Sequence, residues 1–451
     1  MLPTFATVRT LRPVDLVAPG LVQVALDLPG TTSTTPCPQP APSAAVEARC
    51  DGPARLAWVS GDVTLTGTYD GRAAFLEVTA GTGPEGTRRH RSRRFGRPDE
   101  PVDRLALTLT GTHLTLFTAA ADGPWTARAR VDLTGTVDTR DDAWLAGLHV
   151  AHEGPLTGLR AGAFGQLGLR DLRLVTRADG SPYLHRGRPL LTATSAGPGF
   201  FDTAHTSVWA LDPDALTLEH RADLFFRRGG KVYADHATHL VRDDGAWLVA
   251  TSTWGDFDGD RPGASVAVTL ARSTDNLLRG RHVLASAPLD LPTTGLTSVG
   301  VWDPHLVRTE DGWLVGYVSA RKFFDFHPVL ASGPSLDTLT LRAAAPERRA
   351  TEGTTIQRLA PTRAGARPEW IVLASDGRDN PRGLRAAYPV FDLDLRQTGT
   401  LAAPYPSNIP WPTLVPLGEQ WLLVGFDGEA YGGSLLGYGT HGSVVVSRSV
   451  E

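Results

Sequence analysis

The stretch Val301–Ala320, VWDPHLVRTEDGWLVGYVSA, decides how this chain is read. It holds two apolar runs joined by an Asp311-Gly312 turn, the pattern of a strand pair. Its first strand opens on a carboxylate, Asp303, set between Trp302 and Pro304. Removing a charged group from water is costly unless something offsets the loss, so the position calls for a physical reason.

The same pattern recurs along the second part of the chain. Five openings superpose: Asp171-Leu-Arg-Leu-Val, Ala237-Thr-His-Leu-Val, Asp303-Pro-His-Leu-Val, Glu352-Gly-Thr-Thr-Ile and Trp411-Pro-Thr-Leu-Val, with first positions 66, 66, 49 and 59 residues apart. Most are followed by a Gly-containing turn and a second apolar strand, as in RDDGAWLVATSTW and LGEQWLLVGFDG. Each unit is about four strands long, the size of one propeller blade. Only 40 residues follow Trp411, so a strand in GAFGQLGL, just before Asp171, is expected to complete the last blade.

Before this repeat the segments DVTLTGTYD, AAFLEVTA, RLALTLTGTHLTLFTAA and WTARARVDLTGT alternate apolar residues with Thr or charged ones, the period of half-buried antiparallel strands. GTTSTTPCPQPAPSAA reads as a loop by composition. Helical periodicity is nearly absent, and the 48 Gly and 34 Pro are spread as turn punctuation. The expectation is an all-β protein: a β-sandwich of the concanavalin-like or a similar kind over residues 1–167, then a five-bladed β-propeller over 168–451.

The chain has 451 residues, 41% of them hydrophobic, and no apolar run long enough to span a bilayer, so a membrane partner is not expected. A net charge of −4 gives little attraction for polyanions, and nucleic acid is not an expected partner. The basic run Thr87–Arg97 reads as a solvated loop. Cys37 and Cys50 are the two cysteines, able to form a disulfide in an oxidising compartment or to remain thiols. The N-terminus shows no basic region followed by an apolar core, so no secretion signal is seen and a cytoplasmic location is favoured.

In a propeller the innermost strands line a central channel, and equivalent positions of different blades meet at one end of it. Asp171, Asp303 and Glu352 would then share one funnel, where burial and mutual repulsion separate their pKa values. One protonated and one ionised carboxyl is what acid/base cleavage of a glycosidic bond requires.

The order Asp171, WDPHLV at Asp303 and TEGTTI at Glu352 resembles glycoside hydrolase family 43 and its five-bladed relatives, over about residues 168–451. The resemblance implies a general base at Asp171, a positioning and pKa-tuning role for Asp303, a general acid at Glu352, and inverting hydrolysis of arabinofuranosyl, xylosyl or related glycans. Arg170-Asp171-Leu172 lacks the family's Pro after Asp, and Gly353-Thr354 stands where Gly-Pro is common. Asp202 in GFFDTAH and Asp235 in YADHATH are substitutes for the base or substrate contacts. His205, His236 and His305 are candidates for sugar hydroxyls, and Trp302 and Trp411 for stacking on a sugar face. His441 stands where some relatives hold a water or calcium ion. No catalytic metal or other cofactor is expected, because the His spacing fits no zinc pattern.

The expected substrate is an oligo- or polysaccharide, and the sandwich is expected to wall the funnel. Two alternatives remain: a glycan-binding propeller without catalysis, and a phosphorylase that holds phosphate with basic groups, for which Arg321 and Lys322 are candidates.

Overall fold

The computed structural model describes residues 2–27, 32–81, 86–359, 369–437 and 441–450. Among them the one α-helix is Asp142–Ala146, capped by the Asp141 carboxylate on the Trp144 N–H, and nearly all other regular structure is β. No helix of the described residues is long and apolar enough to cross a membrane.

Two six-stranded sheets form the sandwich, their strands paired antiparallel. Alternation places Trp58, Leu65 and Leu76 of one sheet against Leu107, Leu114 and Leu116 of the other, all fully buried in one core. The close approach explains a mid-strand glycine: a Cβ on Gly67 would lie 2.6 Å from a Leu116 methyl. The Thr/Pro-rich segment expected as a loop contributes an edge strand, Ser33–Pro36, which pairs with His149–Glu153. Pro36 ends it, as proline is tolerated at an edge. Cys37 and Cys50 are buried free thiols, and burial pushes each up to about 11. Thr87–His90, at the head of the basic run, is an exposed edge strand in which Arg89 pairs with Glu77 at 2.9 Å.

Five blades follow, each a four-stranded antiparallel meander. Their inner strands are Leu169–Leu174, His236–Asp243, Gly300–Thr309, Thr351–Leu359 and Thr413–Leu417. Blades one and two are also joined at their outer edges, where Thr217–Arg228 runs parallel to Gly280–Pro288. The last blade is completed differently from the expectation. GAFGQ belongs to the sandwich strand Leu156–Gln166, whose neighbours there are Asp15–Leu26 and Ser43–Cys50. The closing strand is Thr4–Leu11, paired antiparallel with Ser443–Val450. The N-terminal strand therefore belongs to the propeller, and the sandwich begins after it rather than at residue 1.

The inner strands share one backbone feature. Asp171, Ala237, Asp303, Gly353 and Trp411 all have positive φ, 51°, 58°, 60°, 73° and 47°. In the first four blades the pairing register slips at this point, the signature of a β-bulge. The equivalent position in blade four is thus Gly353, and Glu352 stands one residue earlier, level with Arg170, His236 and Trp302. Aligning by acid type had shifted that blade by one residue.

Phe5, 4% exposed, anchors the closing strand in a cluster with Leu373, Leu414 and Leu423 of the last two blades. Phe5→Ala is expected to destabilise the protein by about 3–5 kcal/mol. Denaturant unfolding checks this, and the control Val8→Ala, at an exposed position of the same strand, should change stability by less than about 0.5 kcal/mol.

Candidate functional site

An ordinary strand points alternate side chains to opposite faces, so it would offer a channel mouth one residue at a time. The bulge breaks that alternation. Arg170 and Asp171, His236 and Ala237, and Trp302 and Asp303 all line one cavity of about 560 Å3, joined there by Glu352 and Trp411. The left-handed conformation costs about 1–3 kcal/mol at a residue other than glycine. Aspartate bears it better than most, whereas Ala237 and Trp411 have no such tolerance.

Within the cavity Trp302 donates from Nε1 to Glu352 Oε2 at 3.4 Å. Arg170 Nε lies 3.5 Å from Asp171 Oδ2. The Gly353 N–H points at Asp303 Oδ2 across 3.4 Å, and the Asp303 N–H donates to Ser252 Oγ at 2.9 Å. Beneath the acids lies Arg173, 1% exposed, donating to Asp303 O, Thr354 O and Thr355 Oγ1 at 2.9, 3.1 and 2.9 Å. Its guanidinium sits 4.5 Å from the Trp411 ring centre.

Burial raises all three carboxyl pKa values, and their neighbours separate them. Asp303 is pushed well above the usual range by burial and then by the Glu352 charge, with Arg173 opposing. Glu352 rises to about 7 through burial and the Asp171 charge, with the Trp302 indole N–H pulling back. Asp171 is raised by burial, against Arg170, a Thr194 hydrogen bond and Arg173. It is the carboxyl with most support for its ionised form. His236, whose Nε2 lies 3.0 Å from Phe201 O, is held neutral by burial and by the Arg170 charge.

Of the sequence candidates, Asp171, Asp303, Glu352, His236, Trp302 and Trp411 come together in this cavity. The others do not. Asp202 pairs with His113 of the sandwich at 3.0 Å and lines a neighbouring groove. Asp235 is fully buried and bound by Arg228 at 3.0 Å and by the Gly255 N–H, so it is a loop anchor. His205 is 1% exposed, stacked on Phe225 and hydrogen-bonded to Asp223. His305 is stacked on His239 with ring centres 4.0 Å apart, deeper in the channel. These two histidines stitch blades together: His239 Nδ1 accepts from the Leu306 N–H at 3.0 Å and His305 Nδ1 from the Ile356 N–H at 3.4 Å. His441 is fully buried and outside the cavity lining, and no group of three or more His, Cys, Asp or Glu among the described residues is arranged to hold a metal.

The sequence reading missed Arg173, Phe201, Trp254 and Arg378. Arg173 had a signal, being the polar third residue of its repeat, equivalent to His239, His305, Thr355 and Thr413. Trp254 and Phe201 pack with ring centres 4.4 Å apart on loops outside the repeat, where no periodicity marks them.

No protein-family model matches the chain, and no curated protein sequence does. Among solved structures it is similar to a GH43_1 enzyme from Xanthomonas citri, with 15% identity, TM-score 0.39, and 62% of this chain and 87% of that one covered. It is also similar to a GH43 β-xylosidase/α-arabinofuranosidase from a compost metagenome in complex with xylotriose, at 12% identity, TM-score 0.38, and 61% and 91% covered. A third is the GH32 β-fructofuranosidase of Bombyx mori, at 12% identity, TM-score 0.42, and 63% and 60% covered. Likenesses this distant decide nothing about chemistry, which rests on the cavity.

The raised Glu352 pKa has a stability consequence of definite sign. Folding favours the protonated carboxyl, so its contribution is complete below pH about 4.5 and is lost as pH rises through about 7. Glu352→Gln, neutral throughout, is expected to melt at a higher temperature relative to wild type at pH 8 than at pH 4.5. Thermal unfolding at the two pH values measures the difference; an equal offset at both would mean Glu352 titrates normally.

Proposed function

We propose that the cavity is the active site of a glycoside hydrolase acting on arabinofuranosyl, xylosyl or related glycans. The observation that carries this is the convergence of three carboxyl groups from three blades in one tryptophan-walled cavity, with Glu352 held near pKa 7. A carboxyl that is partly protonated at neutral pH can give its proton to a departing glycosidic oxygen. Glu352 has that role, and the Trp302 indole N–H fixes the oxygen it does not use. Asp171, beside Arg170 and above Arg173, is the base that activates water. Asp303, held by Arg173 and the Gly353 amide, orients sugar hydroxyls. Trp302 and Trp411 offer apolar faces to a sugar ring. The pentose assignment and the inverting course follow from the motif resemblance.

A phosphorolytic reading is favoured by one observation: Arg378 lines the same cavity as Arg170 and His236. Arg321, the earlier candidate, is held by Asp325 at 2.5 Å. Release of sugar from aryl glycosides and pentose polysaccharides, with and without phosphate, separates the two. Hydrolysis without phosphate is expected, and absence of turnover on every substrate would favour a binding propeller.

Two predictions test the roles. Glu352→Gln should lower kcat about a hundred- to ten-thousand-fold on glycosides with poor leaving groups, while those with activated leaving groups lose much less. Equal loss on both would remove Glu352 as the acid. Proton NMR of the first anomeric signal should show the inverted product, and Asp171→Asn should abolish it. A retained anomer, or inversion surviving Asp171→Asn, would unseat Asp171 as base.

A further inference from the structure

A second space adjoins the carboxylate cavity. It is a groove of about 850 Å3 between the sandwich and the propeller, and it shares Phe200, Trp302, Phe323 and Phe324 with the cavity as a common wall. That wall is an aromatic ridge. Phe200 meets Phe201 with ring centres 4.3 Å apart, Phe257 stacks on Phe323 at 4.6 Å, and Phe323 meets Phe324 at 4.6 Å. Phe200 and Phe324 are 41% and 66% exposed, and with Val299 at 47% they make up half of the large exposed hydrophobics among the described residues. Apolar surface gathered at one rim marks a contact site more than scattered exposure does.

Beyond the ridge the groove turns polar. The sandwich supplies His113, Arg130 and Asp132, and the propeller supplies Asp202 and the Asp256–Arg261 loop. Arg130 lines the groove as a largely buried guanidinium facing the Asp202 and Asp132 charges.

We propose that this groove binds the sugars of a neutral polysaccharide chain lying beyond the residue held at the carboxylates, so that the substrate is an oligomer or polymer and the sandwich helps select it. This rests on the glycosidase reading of the cavity. The exposed rings present flat apolar faces to pyranose or furanose C–H surfaces, and the mixed carboxylates and guanidinium groups match hydroxyls, which both donate and accept. An anionic chain would face five lining carboxylates, Asp132, Asp202, Asp256, Asp258 and Asp260, against three guanidinium groups, Arg130, Arg140 and Arg261.

The test is calorimetric titration of the full-length Glu352→Gln protein with xylo-, arabino- and galacturono-oligosaccharides from dimer to hexamer. In one neutral series the hexamer should bind at least about tenfold more tightly than the dimer. Phe324→Ala and Asp258→Ala, both at exposed positions, should each cut that ratio at least threefold. Affinity independent of length, a ratio untouched by both variants, or a length gain confined to the galacturonide series would each overturn the proposal. Turnover of aryl glycosides by the wild-type protein is read separately. If it is absent while the length dependence holds, the catalytic assignment falls and the glycan groove stands.

Discussion

The fold's central interaction is the buried guanidinium of Arg173. It starts on the inner strand of blade one, donates to backbone oxygens of blades three and four, and lies against the Trp411 ring of blade five. A charge without solvent around it survives only if hydrogen bonds and counter-charges replace the water. Here the carbonyls supply the first and the Asp303, Asp171 and Glu352 carboxyls the second. The dependence runs both ways. Without Arg173 the three acids would repel one another in a dry pocket, and without the acids the channel would hold an uncompensated cation. The charge that joins four of the blades also lets carboxylates occupy the mouth.

Chain connectivity explains where the sandwich sits. Thr4–Leu11 closes blade five from outside, and Leu169–Leu174 begins blade one from inside, so the sandwich is in effect inserted between the two ends of the ring. Its first and last strands pair with each other, with Gln166 Nε2 donating to Asp15 Oδ2 at 3.1 Å. Leaving and returning at one point, it packs onto blades one and two. There Arg140 donates to Gly255 O at 2.7 Å, Arg281 of the propeller reaches Ser43 O at 2.8 Å, and Arg227 pairs with Asp142 at 2.7 Å. The close fit at Gly111, where a Cβ would collide with Asp202 O, holds the loop that bears Asp202 against the sandwich.

The repeat, the fold class and the convergence of Asp171, Asp303 and Glu352 were legible because one apolar pattern recurs five times and geometry then decides where its first residues meet. The closing strand was not legible: Thr4–Leu11 lies far from Ser443–Val450 in sequence, and an edge strand carries no mark of its partner. His205, Asp235 and His305 looked like site residues because polar groups in aromatic or glycine-rich context resemble ligand-binding ones. Inside the protein the same residues serve to satisfy buried backbone donors and ion pairs, which one-dimensional context does not reveal.

The register error at Glu352 shows what the inner strands are selected to do. The superposition places a carboxylate at the blade-four position, whereas the backbone matches left-handed residues, and the two agree in every blade but the fourth. In blade four the left-handed position falls to Gly353, where a Cβ would lie 2.7 Å from the Trp411 ring, so a side chain there has no room. The acid is displaced to the preceding residue, within reach of the Trp302 indole and level with the tryptophan rather than with Asp303. Three acids set at one register position would crowd at one depth of the funnel. The one-residue offset instead gives Glu352 a different hydrogen-bond partner, the Trp302 indole N–H in place of the Gly353 amide that faces Asp303. Different neighbours on carboxyls in one cavity are what divide protons unequally among them, and that division is what acid/base chemistry needs.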